Sequence, residues 1–236
     1  MKQESYPKTI KGQTEKTLEN IVNNIDIIES DETQYISINK RIDNVMKKIG
    51  VPEYWIDKRF KDLEGDNNFL ESVGKIKQWD FKKPVSVSIL SRYSGNGKTH
   101  ISVCLLRKYI YGVLNNNPNY DYFPKEMYTK EGDLYYRILA SYKENSYESE
   151  KDIVDIYCKL PFLVIDDIFK NRDNEFAYRT MQYIVDKRID WERLPTVITS
   201  NVLLNDFKDS SMKSRLQSPL CLELIKTKTD YRKINK

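Results

Sequence analysis

One stretch narrows the folds open to this chain more than any other. A short apolar run, residues 85–90, with Val85, Val87 and Ile89 at alternate positions, leads directly into Ser94-Gly95-Asn96-Gly97-Lys98-Thr99. The two glycines allow the backbone to curl until successive N–H groups converge on one point. Residues 99–111 then carry the apolar spacing of a helix, which Gly112 is expected to end. Strand, glycine loop and helix together form an anion site, because a helix N-terminus presents unpaired N–H groups and a favourable dipole. Lys98 following Gly97 supplies a cation for the β- and γ-phosphates of a nucleoside triphosphate, and the Thr99 hydroxyl a ligand for magnesium. Ser94, Gly95, Asn96, Gly97, Lys98, Thr99 and His100 are therefore the candidate ATP/ADP contacts. The usual pattern begins with a glycine five positions before the second one; Arg92 stands at that position.

A second apolar run ends in acid, Leu163-Val164-Ile165-Asp166-Asp167. A carboxylate at the end of such a strand holds the magnesium ion beside the phosphates, and a second one orients or deprotonates the attacking water. Asp166 takes the first role and Asp167 the second. Further on, Pro195-Thr196-Val197-Ile198-Thr199-Ser200-Asn201 reads as another buried strand with a polar end. Asn201 is the candidate sensor of the γ-phosphate, since ligands gather at the C-terminal edge of a parallel sheet.

Around these motifs, strands and helices alternate. The pattern predicts a short strand at 120–123, helices at 132–142 and 148–158, a strand at 162–165, and a helix at 176–193 with Tyr178, Met181, Ile184, Val185 and Ile189 on one face. Such alternation implies an α/β fold, a parallel sheet flanked by helices. The character of the chain changes near Gly50-Val51-Pro52, which divides a short helical N-terminal region, 1–49, from the main domain, 50–236. In the first part, Leu18, Ile21, Val22, Ile25 and Ile28, and then Ile38, Ile42, Val45, Met46 and Ile49, have the spacing of two amphipathic helices separated by polar residues 29–34. They either pack on the main domain or await a partner.

Composition excludes several classes. No apolar run approaches the ~18 residues a membrane helix needs, and the start of the chain lacks a signal peptide's apolar stretch; a cytoplasmic location is expected. Three cysteines, Cys104, Cys158 and Cys221, lie far apart, and with one histidine, His100, they offer neither a disulfide framework nor a zinc site. A net charge of +4 permits nucleic-acid binding without requiring it.

Taken in order, these pieces resemble the AAA+ ATPases of the DnaC/DnaI helicase-loader and IstB-like family, over residues 50–233. The resemblance rests on Gly50-Val51-Pro52-Glu53-Tyr54, the glycine loop, the Asp-Asp strand, Ile184-Val185-Asp186-Lys187-Arg188, Thr199-Ser200-Asn201, Ser214-Arg215-Leu216 and Asp230-Tyr231-Arg232. It implies an AAA+ P-loop ATPase core, ATP and Mg2+ as cofactors, and self-association into a ring or spiral. It also implies roles for two late arginines. Arg215 resembles the arginine finger that enters a neighbouring subunit's site, joining Lys98, Asp167 and Asn201 as catalytic groups; Arg232 resembles the second sensor, touching nucleotide in its own subunit. The implied partners are single-stranded DNA and a hexameric replicative helicase, contacted by residues 1–49, and the short N-terminal region suits a phage or mobile-element protein. Basic and aromatic residues within 122–130, and Tyr135, Tyr136 and Arg137, are candidates for DNA contact. A transposition regulator on the same core, a nucleotide-gated binding module with little hydrolysis, and a small-molecule kinase remain open alternatives.

Overall fold

The computed structural model describes residues 32–81, 86–144, 146–169, 174–207, 209–217 and 220–224. Helix α1, Glu32–Lys48, leads to α2, Glu53–Ile56, a 3-10 turn at Phe60–Asp62 and α3, Asn67–Lys77. Strand β1, Val87–Leu90, feeds the glycine loop and α4, Lys98–Asn116. Strand β2, Tyr128–Lys130, is followed by α5, Glu131–Ser141, and α6, Glu150–Lys159. Next come β3, Leu163–Ile168, and α7, Glu175–Asp186, whose last turn widens into a π-helical turn at Lys187–Trp191. The described chain closes with β4, Thr196–Ser200, α8, Ser210–Gln217, and β5, Leu220–Glu223.

The five strands form one sheet in the order β2-β3-β4-β1-β5, and every pairing is parallel. Strands β1 and β4 are buried along their whole length, as expected of a parallel sheet covered on both faces. Alternate side chains sort into two cores. Val87, Ile89, Val164 and Val197 join the face covered by α4, where Ile101, Leu105 and Ile110 pack, while Leu163, Ile165 and Ile198 join the face of Leu134, Ile153, Ile184 and Leu216. Helix α1 belongs to the first core: Ile42, Met46 and Ile49 are buried with α4, and Arg107 on α4 bonds Asp43 on α1. Of the two N-terminal helices expected from periodicity, this is the second; the first, 18–28, lies outside the described residues.

Several expected boundaries shift. Helix α4 does not stop at Gly112 but continues to Asn116, because Gly112 is buried among Val113 and Leu114. The stop comes from Asn117-Pro118, where the proline cannot continue a helix. No strand lies at 120–123: β2 begins only at Tyr128, after a 3-10 turn at Lys125–Met127. Helix α3, α8 and β5 have no counterpart in the periodic pattern.

At the N-terminal edge of the sheet, Arg188 is fully buried and has no carboxylate partner among the described residues. Its Nε donates to Thr196 Oγ1 (2.9 Å), Nη1 to the carbonyls of Tyr157 (2.7 Å) and Leu160 (2.9 Å), and Nη2 to that of Pro195 (3.1 Å). It thereby ties the end of α6 and the entries to β3 and β4 to the π-helical turn. The three cysteines are free thiols, and burial pushes Cys104 up to about 12 and Cys158 and Cys221 each up to about 11. They behave as packing residues rather than nucleophiles. No helix among the described residues is long and apolar enough to cross a membrane.

Candidate functional site

Helix α4 begins on a left-handed glycine. Helices α3, α6 and α7 each start on a side chain, Asp66, Ser149 and Asn174, that accepts a first-turn N–H. Helix α4 starts on Gly97, in the left-handed region at φ 80°, without a side-chain cap, which leaves its first N–H groups suited to an anion. Gly95 also has φ 80°. A Cβ at Gly97 would sit 3.4 Å from Leu63 Cδ2 and 3.6 Å from Phe69 Cζ in a backbone region L-residues rarely adopt; the segment before β1 thus forms the floor of the loop. Asn96 is buried and donates to Ser91 Oγ (2.9 Å), and the Lys98 ammonium donates to the carbonyls of Tyr93 (2.9 Å) and Ser91 (3.3 Å). The loop is built and closed by its own groups, with Lys98 at its centre.

Arg92, which replaces the first glycine of the pattern, forms a two-point ion pair with Asp206. Nη2 lies 2.6 Å from Oδ1 and Nε 3.1 Å from Oδ2. Asp206 ends the 3-10 turn Leu204–Asp206 that follows β4. The guanidinium therefore turns outward and pins the start of the loop to the segment after β4. No local sequence signal announces this, because the partners are 114 positions apart.

The acidic residues stand at the C-terminal end of β3, across from the loop. Asp166 is buried and receives three hydroxyls: Thr99 Oγ1 from α4 (3.1 and 3.2 Å to its two oxygens), Thr199 Oγ1 from β4 (2.6 Å) and Tyr128 Oη from β2 (3.1 Å). Asp167 occupies a β-bulge, since Ile165 pairs with Ile198 but Ile168 with Ser200, one residue more on β3 than on β4. Its φ of 61° lies in the left-handed region that aspartate tolerates better than most residues. Thr199 Oγ1 accepts the Asp167 N–H (2.8 Å), and Asn201 Nδ2 bonds the Asp167 carboxylate. Thr199 is thus shared between the two acids. Lys98, Thr99, Asp166, Asp167 and Asn201, expected to act together, converge on one edge of the sheet.

Not every candidate joins them. His100 Nε2 lies 2.8 Å from the Arg59 carbonyl, and burial holds its pKa below the usual value, so the neutral ring donates this bond and fastens the segment before α3 to α4. Arg215 meets no loop residue in the contacts that hold it: Nη2 is 2.5 Å from Asp186, Nε 2.7 Å from Asp190 and Nη1 3.0 Å from Ser211, at the far end of α7. Arg232 lies outside the described residues. Arg137, a candidate for DNA, is bound to Glu126 (3.1 Å) and Glu148 (2.6 Å), whereas Tyr122 and Tyr136 are exposed. Periodicity missed Tyr128 as a site residue because its strand is too short to show alternation.

A parallel sheet ordered β2-β3-β4-β1-β5, with a glycine loop between β1 and α4 and an acidic pair near the end of β3, is an α/β P-loop fold. No protein-family model matches the sequence, and no curated protein matches it. Solved structures match the fold. The replication initiator DnaA bound to AMPPCP and single-stranded DNA superposes with a TM-score of 0.52 at 12% identity, over 74% of this chain and 51% of that one. AMPPCP-bound DnaA from Aquifex aeolicus gives 0.53 at 14%, over 78% and 54%. The DnaC helicase loader structure gives 0.51 at 16%, over 74% of this chain and 100% of that one. The chain spans about half the length of the DnaA chains it matches. The resemblance read from the motifs is therefore present in the fold.

Proposed function

We propose that this chain is an ATP-dependent helicase loader, which binds single-stranded DNA and delivers or opens a hexameric replicative helicase ring. The observation that carries the reading is the convergence of Lys98, Thr99, Asp166, Asp167 and Asn201 on one sheet edge of an AAA+-type fold. The solved DnaC helicase loader, covered over 100% of its length, has the same fold, and the loader role itself comes from the resemblance of the motifs.

The donor set fits magnesium. A hydroxyl and one carboxylate are hard oxygen ligands, suited to an ion that takes its remaining ligands from phosphates and water. Thr99 and Asp166 would hold it, where it neutralises charge on the β- and γ-phosphates. Lys98 exchanges the Tyr93 and Ser91 carbonyls for phosphate oxygens. Asp167, fixed by the bulge and by Asn201, orients the attacking water, and the Asn201 amide senses its position. Arg215 acts on a neighbour's nucleotide, which requires it to leave Asp186 and Asp190; hydrolysis is then tied to assembly in a ring or spiral. Arg232 completes the nucleotide contacts as second sensor, and exposed Tyr122 and Tyr136 offer stacking surfaces for single-stranded DNA.

Residues 1–49 provide the helicase contact. Because Ile42, Met46 and Ile49 are buried against α4, the partner is met by the outer face of α1 and by the apolar positions Leu18, Ile21 and Ile25, in a helix-in-groove mode. The test uses the full chain carrying Leu18→Asp, Ile21→Asp and Ile25→Asp, mixed with the host's hexameric helicase and ATP on a sizing column. Wild type is expected to co-elute with the helicase and the variant to elute alone while still binding nucleotide. Co-elution of the triple variant, or failure of wild type to bind, would contradict the assignment.

A further inference from the structure

We infer that Tyr128 is a positioning residue for the metal-holding carboxylate, a role that rests on reading the site as a magnesium–nucleotide site. Strand β2 runs beside β3 with Tyr128 opposite Val164 and Lys130 opposite Asp166. Tyr128 and Asp166 thus lie on the same face of the sheet, one pair apart, and a tyrosine is long enough to reach along that diagonal. The ring is buried in the α4 core, and its hydroxyl meets Asp166 Oδ2 at 3.1 Å.

Three donors hold this carboxylate, but they are not equivalent. Thr99 would itself be a metal ligand, giving a lone pair to the ion while its O–H still donates to Asp166, so its position moves with the ion. Thr199 holds Oδ1 and is tied to the Asp167 N–H as well. On the Oδ2 side Tyr128 stands beside Thr99, and of the two it is the donor that would not itself ligate the ion. A hydroxyl buried without a bond is destabilising, and this one is directed at the group whose orientation matters for the ion. Supporting groups of this kind set metal affinity in other sites, where their loss weakens binding about 10- to 100-fold.

A residue that only filled the core would have a different signature, and Tyr128→Phe separates the two because it removes the hydroxyl and keeps the ring. The measurement is fluorescent-ATP binding to the full chain, first in EDTA and then across a magnesium titration, with Asp166→Asn as reference and a thermal melt to confirm folding. Wild type is expected to bind more tightly as magnesium is added, and Asp166→Asn to lose that response. Tyr128→Phe is expected to match wild type in EDTA within about twofold and to need about tenfold more magnesium for half its response. A magnesium midpoint equal to wild type, with Asp166→Asn impaired, would overturn the role of Tyr128 alone. Absence of any magnesium response in wild type would overturn the site reading, and this inference with it.

Discussion

An Asp166→Asn chain is expected to bind ATP yet hydrolyse it at least about a hundredfold more slowly than wild type. The substitution keeps volume, and a hydroxyl facing the new NH2 can rotate to accept from it, so the buried pocket made by Thr99, Thr199 and Tyr128 survives. What it removes is the negative charge that retains a divalent cation beside the phosphates. The loss should appear in turnover and not in metal-free nucleotide affinity, because Lys98 and the N–H groups at the start of α4 remain. Steady-state phosphate release at saturating ATP and magnesium checks this, and a turnover unchanged by the substitution would remove Asp166 from the site.

The second large effect lies at the opposite edge of the sheet and concerns stability. Arg188→Met preserves length and apolar volume but leaves the carbonyls of Tyr157, Leu160 and Pro195 without the donor that now bonds all three. Each buried carbonyl left unpaired costs about 1–3 kcal/mol, and relief of the buried charge offsets part of the sum. A net loss of about 3 kcal/mol is expected, or a fall of about 6–12 °C in melting temperature for a domain of this size. Differential scanning fluorimetry measures it. A melting temperature equal to wild type would mean that water or a local shift replaces the guanidinium. Nucleotide binding at low temperature should be preserved, since Arg188 is remote from the glycine loop.

The parts of this site that sequence reveals are those built by adjacent residues. The loop and its helix, and the acids at the end of an apolar strand, are local patterns whose chemistry depends on their neighbours, and they fall where periodicity places them. The parts it conceals depend on pairing across the sheet. β2 has three residues and exists because β3 pairs with it; the aromatic run at 120–123 has the more strand-like composition and forms no strand. Asp206 rescues the departure at Arg92 from far along the chain, and nothing near Arg92 records it. The left-handed Asp167 follows from the register shift between β3 and β4, which only the assembled sheet contains. Gly112 shows the converse: its propensity to end a helix, worth about 1 kcal/mol, loses to a position buried against the core.

The central claim is that the glycine loop of this chain binds and hydrolyses ATP. Its most direct test is the rate of phosphate release from Mg-ATP by the full chain, with and without single-stranded DNA, compared with Lys98→Ala. The account predicts turnover by wild type, raised by DNA, and a rate at background for Lys98→Ala. Equal rates for the two proteins would contradict it.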